Sequence, residues 1–482
     1  MFVTEINTEQ YKQTILFSKD NKKQYGEINT PFWLIEKMLD ILPESVFSNP
    51  NLKWLDPCCG CGYFMIIVFK RLHNGLKHII PDKTHRTKHI IENMLFMVEI
   101  NSENKSRLLS LFGNSANIYI YDFLSDLQKI FPESSIKKLS PKNNVIEFDI
   151  IIGNPPYNSQ GNIKVPTNNS TKKTEDGKSI WRDFTKKAVS LLKPGGHLNF
   201  IIPSIWMKPD RFHMYNFLTD YKIEKIHCFT NTETNHIFKG EAQTPTCYFR
   251  LTKKSVNAGT INNTLDVKNV SLFDKDQEKY VNYRLLLNYP IPVFGASVIN
   301  KLIPFIEKYG CISVIKTNEP GCNLEFNTEQ NEKYKYPCIL SATFQKQEPV
   351  RLSFKTNYCS ESPPYYGERK LILAHKMFGF PTLDTEGKWG ISRRDNYIIL
   401  DKSQSNLTKI QKFLSTYFAL YVFESTRYRM KYLEKYAFQF LPDITKMQDF
   451  PDEVNDTTIS QYFRFSLQEQ ESILKLHNKK YF

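Results

Sequence analysis

No stretch of this chain approaches the roughly 18 uninterrupted apolar residues that a membrane helix requires. The opening MFVTEINTEQYKQ lacks the basic-then-apolar order of a secretory signal. Its nine cysteines are scattered over 482 residues instead of forming a disulfide framework, which suits a reducing compartment. No internal repeat is visible. Acidic residues are the minority, 50 against 64 Lys and Arg, for a formal net charge of +14. What is present in quantity is core-forming material: 41% hydrophobic and 14% aromatic residues, with 35 Phe and 26 Tyr. That excludes wholesale disorder and predicts a soluble, intracellular, multidomain protein. The positive balance suits a polyanionic partner, since each phosphate neutralised releases a counterion. An A+T-rich genome, favouring Lys over Arg 50 to 14, gives the same bias.

The hydrophobic pattern sets the organisation. Pro31 suits a first helical turn, followed at helical spacing by Phe32, Ile35, Met38, Leu39 and Leu42. Short apolar runs at 52–55, 95–100, 118–121, 148–152 and 198–202 read as buried strands, with helices predicted at 63–72 and 181–192. Continuous apolar strands alternating with helices predict an α/β fold, a doubly wound, mostly parallel sheet covered on both faces. Residues 223–229 and 244–251 are expected to add a hairpin at its edge. The polar, Gly-punctuated segment 158–179 reads as a loop, and 257–263 as a linker. Beyond about 290 the alternation fades. Residues 331–439 carry 18 Lys and Arg against 10 Asp and Glu, interleaved with Tyr and Phe. The expected domains are 1–265, an α+β domain at 290–440 and a helical tail at 441–482.

The most specific stretch is Phe-Asp-Ile-Ile-Ile-Gly-Asn-Pro-Pro-Tyr at 148–157. Residues before proline are driven out of the helical region, and two prolines remove two backbone donors. The Asn154 side-chain oxygen and the Pro155 carbonyl are left as acceptors at a strand's carboxyl end, where open α/β sheets bind ligands. With Tyr157 beside them, they suit an exocyclic amino group on a stacked planar ring. The second motif is Asp-Pro-Cys-Cys-Gly-Cys-Gly at 56–62. Gly60 and Gly62 let the backbone approach a ligand, and a helix start favours its carboxylate. The loop lacks the Gly-Lys-Ser/Thr ending of an ATP cradle. The spacing of Cys58, Cys59 and Cys61 does not match the usual zinc patterns, so no metal is expected.

Together these residues resemble the gamma-type N6-adenine DNA methyltransferases, and most nearly the methylases of the Eco57I-like restriction–modification family. The order of motifs strengthens the resemblance. Gly26-Glu27-Ile28-Asn29-Thr30-Pro31 is similar to the family's first motif, lying upstream of Asp56 as the gamma order requires. The stretch from Trp181 and Phe184 to Gly195 and Gly196 is similar to the helix–turn–strand that follows the catalytic motif. The likeness extends over about 20–255, and more loosely over 441–474.

The resemblance implies a Rossmann-like fold using S-adenosylmethionine, held by Thr30, Pro31, Asp56, Pro57, Gly60, Gly62, Glu99, Asp122, Phe123 and Asn154. Direct methyl transfer to N6 of a flipped-out adenine would fall to Asn154, Pro155, Pro156 and Tyr157, with Phe238 as a second stacking ring. Residues 290–440 would be the target-recognition domain on double-stranded DNA, with Arg369, Lys370, Lys376, Arg393, Arg394, Arg427 and Arg429 as candidate contacts. Arg suits bidentate reading of guanine, Lys suits phosphate. About 25 residues precede Gly26, too few for a nuclease domain, so any restriction endonuclease is expected in a separate chain. Location would be cytoplasmic, at a nucleoid or on viral DNA in a host cell. Two alternatives stay open: an RNA or protein-glutamine methyltransferase, and a catalytically inactive DNA-binding protein on the same fold.

Overall fold

The computed structural model describes residues 3–5, 28–139, 145–159, 179–242, 244–254, 268–317, 324–345, 351–374, 381–391, 396–428 and 433–478. Two compact units divide the chain. The first comprises Met1–Trp206 and Asp210–Asp266, the second Met207–Pro209 and Val267–Phe482. The expected 257–263 linker lies outside the described residues.

In the first unit the strands are β1 (Trp54–Asp56), β2 (Leu95–Glu99), β3 (Asn117–Ile120), β4 (Phe148–Gly153), β5 (Leu192–Pro203), β6 (Lys222–Phe229) and β7 (Thr246–Thr252). They run in the order β3-β2-β1-β4-β5-β7-β6. Pairings from β3 through β5 are parallel, whereas β7 is antiparallel to both β5 and β6. Every residue of β1 and β2 is buried, as expected for strands covered on both faces. The predicted hairpin strands do pair, and β7 inserts between β6 and β5. Nothing local specifies this, because β7 contributes a near-continuous apolar run, Thr-Cys-Tyr-Phe-Arg-Leu-Thr, suited to two neighbours.

Helix α1 (Phe32–Leu39) buries Phe32, Leu34, Ile35, Met38 and Leu39. It is tied to the sheet by the buried Asn199 amide, which donates to the Met38 carbonyl at 2.5 Å. Helix α2 (Tyr63–Gly75) is apolar almost all round and buried accordingly. Helix α3 (Trp181–Ser190) stops two residues short of the predicted end. Leu192 already pairs with Phe148 in the sheet. The short helix α4 (Asn231–Ile237) is closed at its start by a reciprocal capping box of Thr230 and Glu233.

The second unit is α+β. It contains an antiparallel pair, Lys268–Asp274 with Lys279–Leu285, and a long helix, Ala296–Tyr309. One four-stranded sheet is centred on Lys370–Ala374 and Asn396–Leu400, another on the antiparallel pair Tyr336–Gln345 and Arg351–Cys359. Helices Gln404–Leu414, Tyr417–Ser425, Asp456–Tyr462 and Leu467–Leu474 complete it. Among the described residues no helix is long and apolar enough to cross a membrane.

Candidate active site

The strand order reverses at β1, whose two neighbours are β2 and β4. Open parallel sheets bind ligands at such a switch point, outside the carboxyl ends of the strands. The predicted residues Asp56, Glu99 and Asn154 all stand there, closing β1 and β2 and following β4.

Asp56 is fully buried. Its Oδ1 accepts the Cys58 amide at 3.1 Å, while Oδ2 has no hydrogen-bond partner. Burial pushes its pKa up to about 8, with the Cys58 amide opposing and Glu99 adding to the rise. Glu99 ties the β1 and β2 loops together, accepting from the Gly60 amide at 2.7 Å and the Asn101 amide at 2.8 Å. Gly60 and Gly62 have φ of 52° and 82°, a conformation glycine adopts without penalty. Pro57 completes the turn from Asp56 to the Cys58 amide.

The other wall is the start of the Asn-Pro-Pro-Tyr segment. Asn154 Nδ2 donates to Thr30 Oγ1 at 3.2 Å, anchoring the amide across 124 residues of sequence. Its Oδ1 is buried with no partner. Thr30 is itself buried, and the Pro31 carbonyl accepts the Leu34 and Ile35 amides that begin α1. Pro155 is buried and Pro156 half-buried. The Tyr157 hydroxyl is buried and unpartnered, and burial raises its pKa. The Tyr157 carbonyl accepts the Ile180 amide at 3.2 Å, and Asn158 bridges Ser179. Most of the predicted 158–179 loop, residues 160–178, lies outside the described residues, as do Gly26 and Glu27.

Two residues here were given no site role by the sequence. The Cys58 thiol rests against the Asp56 carboxylate and the Asn154 backbone, and burial raises its pKa. Asn101 is buried with Nδ2 unpartnered. The only signal for either was adjacency to Asp56 and Glu99. Asp56, Asn101, Asn154 and Tyr157 thus present buried polar atoms without protein partners at the carboxyl ends of three adjacent strands. Native interiors rarely leave such atoms unsatisfied, so the group of them marks a place built for a polar ligand.

The two walls also approach closely. A Cβ added at Gly153 would lie 2.9 Å from Asp56 Oδ1. Gly153→Ala is therefore expected to displace the carboxylate and to cost about 1–3 kcal/mol through overpacking. Urea unfolding would measure it; a variant as stable as the parent would show the contact to be slack.

The remaining predicted residues are placed less uniformly. Asp122 is exposed, its Oδ1 accepting the Leu124 amide at 2.9 Å. Phe123 is buried, its ring centre 5.4 Å from that of Phe184. Phe238 ends α4 and is only 3% exposed, so stacking a base on it requires rearrangement of the helix end.

In the second unit Lys370 must be corrected as a DNA contact. It is wholly buried, its Nζ satisfied by Asp384 Oδ2 at 2.8 Å and by the Tyr365 and Glu368 carbonyls at 2.9 Å. An ammonium so enclosed cannot reach a phosphate. Arg369 donates to the Thr385 and Lys402 carbonyls, and Arg427 pairs with Glu424. Lys376, Arg393, Arg394 and Arg429 lie outside the described residues.

Comparison with known proteins addresses the same region. Residues 76–238 match the family model described as Eco57I restriction-modification methylase. The matched span is shorter than the 20–255 expected. It contains Glu99, Asp122, Phe123, residues 154–157 and Phe238, and begins after the Asp56 loop. An uncharacterized adenine-specific methylase of Mycoplasma pneumoniae is 29% identical over 38% of this chain and 56% of that protein. The chain thus spans about half the length of that relative. The type II methyltransferase M.TthHB8I of Thermus thermophilus is 36% identical over 14% of this chain and 18% of its own length.

Among solved structures, the type IIL restriction-modification enzyme MmeI in complex with DNA aligns over 96% of this chain and 77% of its own, at 14% identity and a TM-score of 0.45. The M protein of the type I enzyme EcoKI aligns over 52% and 48%, at 18% identity and a TM-score of 0.35. A putative class I S-adenosylmethionine-dependent methyltransferase of Listeria monocytogenes aligns over 56% and 75%, at 15% identity and a TM-score of 0.33. Residues 76–238, which carry much of the mostly parallel β3-β2-β1-β4-β5-β7-β6 sheet, thus match the model of the Eco57I restriction-modification methylase family.

Proposed function

We propose that this chain transfers a methyl group from S-adenosylmethionine to N6 of an adenine flipped out of duplex DNA. The observation that carries this reading is Asn154: a buried amide oxygen with no protein partner, at the carboxyl end of β4, on a side chain anchored by Thr30. With the Pro155 carbonyl beside it, that oxygen offers the second of two acceptors for an exocyclic amine. Accepting both N–H bonds favours a pyramidal nitrogen and frees its lone pair from the ring. The reaction is then largely alignment of nucleophile and electrophile. A base stacked in a duplex cannot reach this pocket, so flipping is required.

The residues present fit the cofactor. Asp56 Oδ2 is a buried acceptor awaiting a donor, and the glycine turn at 60–62 leaves room for close approach. Asp56, Glu99 and the 58–62 backbone would hold it; it supplies a methyl on a positively charged sulfur. Asp122 and Phe123 remain the proposed adenine contacts. The second unit would read the target, and the whole would work in the cytoplasm.

The raised pKa of Asp56 makes the cofactor site testable. The folded chain keeps this proton up to about pH 8, whereas a free aspartate releases it near 3.8. Ionising Asp56 therefore costs folding stability as pH rises through that window, and a cationic ligand group offsets the cost. Cofactor affinity is expected to rise with pH towards 8. Asp56→Asn should lose about 10- to 100-fold in affinity, the worth of a hydrogen bond to a charged group. The cofactor-free variant should melt above the parent at alkaline pH. Calorimetric titration and thermal melts across pH check both; flat affinity in the parent would contradict the role.

Transfer of labelled methyl groups to duplex DNA, RNA and a glutamine-containing peptide in parallel tests the function. Label on DNA is expected. Label confined to RNA or peptide would move the activity to that substrate class.

A further inference from the structure

Helix α3 begins beside the catalytic motif, since the Ile180 amide donates to the Tyr157 carbonyl. Arg182 and Lys186 lie one turn apart on one face of this helix. The Arg182 guanidinium is 3.5 Å from the centre of the Phe212 ring, and that of Arg211 is 4.6 Å from the same ring. Phe212 is 45% exposed. Lys186 Nζ stands 5.9 Å from the Phe217 ring. Arg182, Arg211 and Lys186 make no ion pair among the described residues. Of the nearby acids, Asp210 is engaged by the Phe212 amide at 2.5 Å, and Asp183 is exposed on α3.

An exposed aromatic ring bearing two guanidiniums is a preorganised arrangement. Contact with the ring holds the planar cations in place and strips some of their water. Arg182 Nη2 donates to the Ser179 carbonyl at 3.5 Å, and its remaining N–H groups and those of Arg211 can donate to an anion. Among the described residues neither guanidinium has a carboxylate partner, which leaves the pair's charge open to an external anion.

We infer that Arg182, Arg211 and Phe212 grip the sugar–phosphate backbone of the strand that delivers the target base to Asn154. Such contacts position the strand without reading its sequence. This surface deepens the DNA reading above and rests on it.

The test compares the parent, Arg182→Gln/Arg211→Gln, Arg182→Lys/Arg211→Lys and Phe212→Ala. Duplex affinity is measured by fluorescence anisotropy across salt concentration, together with KM and kcat for methyl transfer. Losing two phosphate contacts should make the log–log salt dependence shallower by about 1.8. KM for DNA should rise about tenfold while kcat at saturation stays within about twofold, as expected for lost uniform binding. The Lys pair should restore the salt slope but only part of the affinity, since it keeps charge and loses the fork. Phe212→Ala should weaken binding with the slope retained. Native cofactor affinity in each variant reports an intact site. A Gln pair with native slope and KM, in a parent that methylates DNA, overturns this surface alone. A parent that neither binds nor methylates duplex DNA overturns the function and this surface together.

Discussion

Asn154→Ala is expected to lower kcat for methyl transfer by about 10²–10³-fold, the usual effect of removing one preorganised hydrogen-bonding group aimed at the reacting atom. Cofactor affinity should change little, because the orphaned Asp56 oxygen and the Glu99-braced glycine turn are untouched. Stability should fall by no more than about 1 kcal/mol, for one lost hydrogen bond to Thr30. Asn154→Asp is the sharper control. A carboxylate still accepts hydrogen bonds, but it loses the donor that Thr30 receives and adds a charge beside Asp56, so activity should be partial and strongest where that carboxyl is neutral. Steady-state kinetics, calorimetry and urea unfolding separate the three quantities. Near-native kcat in Asn154→Ala would remove the amide from the chemistry.

The second large effect concerns stability. Lys370 and Asp384 face each other across adjacent antiparallel strands, with side chains 0% and 3% exposed. Asp384 also accepts the Lys388 and Trp389 amides at 2.9 and 3.0 Å. Lys370→Ala strands a buried carboxylate and should destabilise the second unit by about 3–5 kcal/mol. Pairing Lys370→Met with Asp384→Asn should recover much of that, since Asn still accepts a backbone amide and no charge is left buried. The expected signature in urea is a lower midpoint at unchanged slope. A Lys370→Ala protein as stable as its parent, with weaker DNA affinity, would restore Lys370 as an exposed phosphate contact.

That lysine shows where sequence stops being informative. In the chain, Arg369-Lys370 looks like any solvated basic pair; only the register that sets Asp384 opposite it reveals a buried ion pair. The same limit applies to β7, whose place between β5 and β6 depends on long-range antiparallel pairing that no local period encodes. By contrast, β1, β2 and β4 were legible because strands buried on both faces must be apolar throughout. The Asn-Pro-Pro-Tyr wall was legible for a related reason: two consecutive prolines after a buried strand force an extended exit. That exit leaves Asn154 and the Pro155 carbonyl at the strand's carboxyl end. Cys58 and Asn101 were not, because a thiol and an amide filling space behind a carboxylate have no spacing signature. Phe238 illustrates the converse, since an aromatic near a helix end serves core and ligand equally in sequence and packs as core here.

Sequencing duplex DNA at single-molecule resolution after incubation with S-adenosylmethionine and either the parent or Asn154→Ala tests the central claim most directly. The expected result is N6-methyladenine at one recurring sequence with the parent and none above background with the variant. Equal modification by both proteins, or modified cytosine in place of adenine, would contradict it.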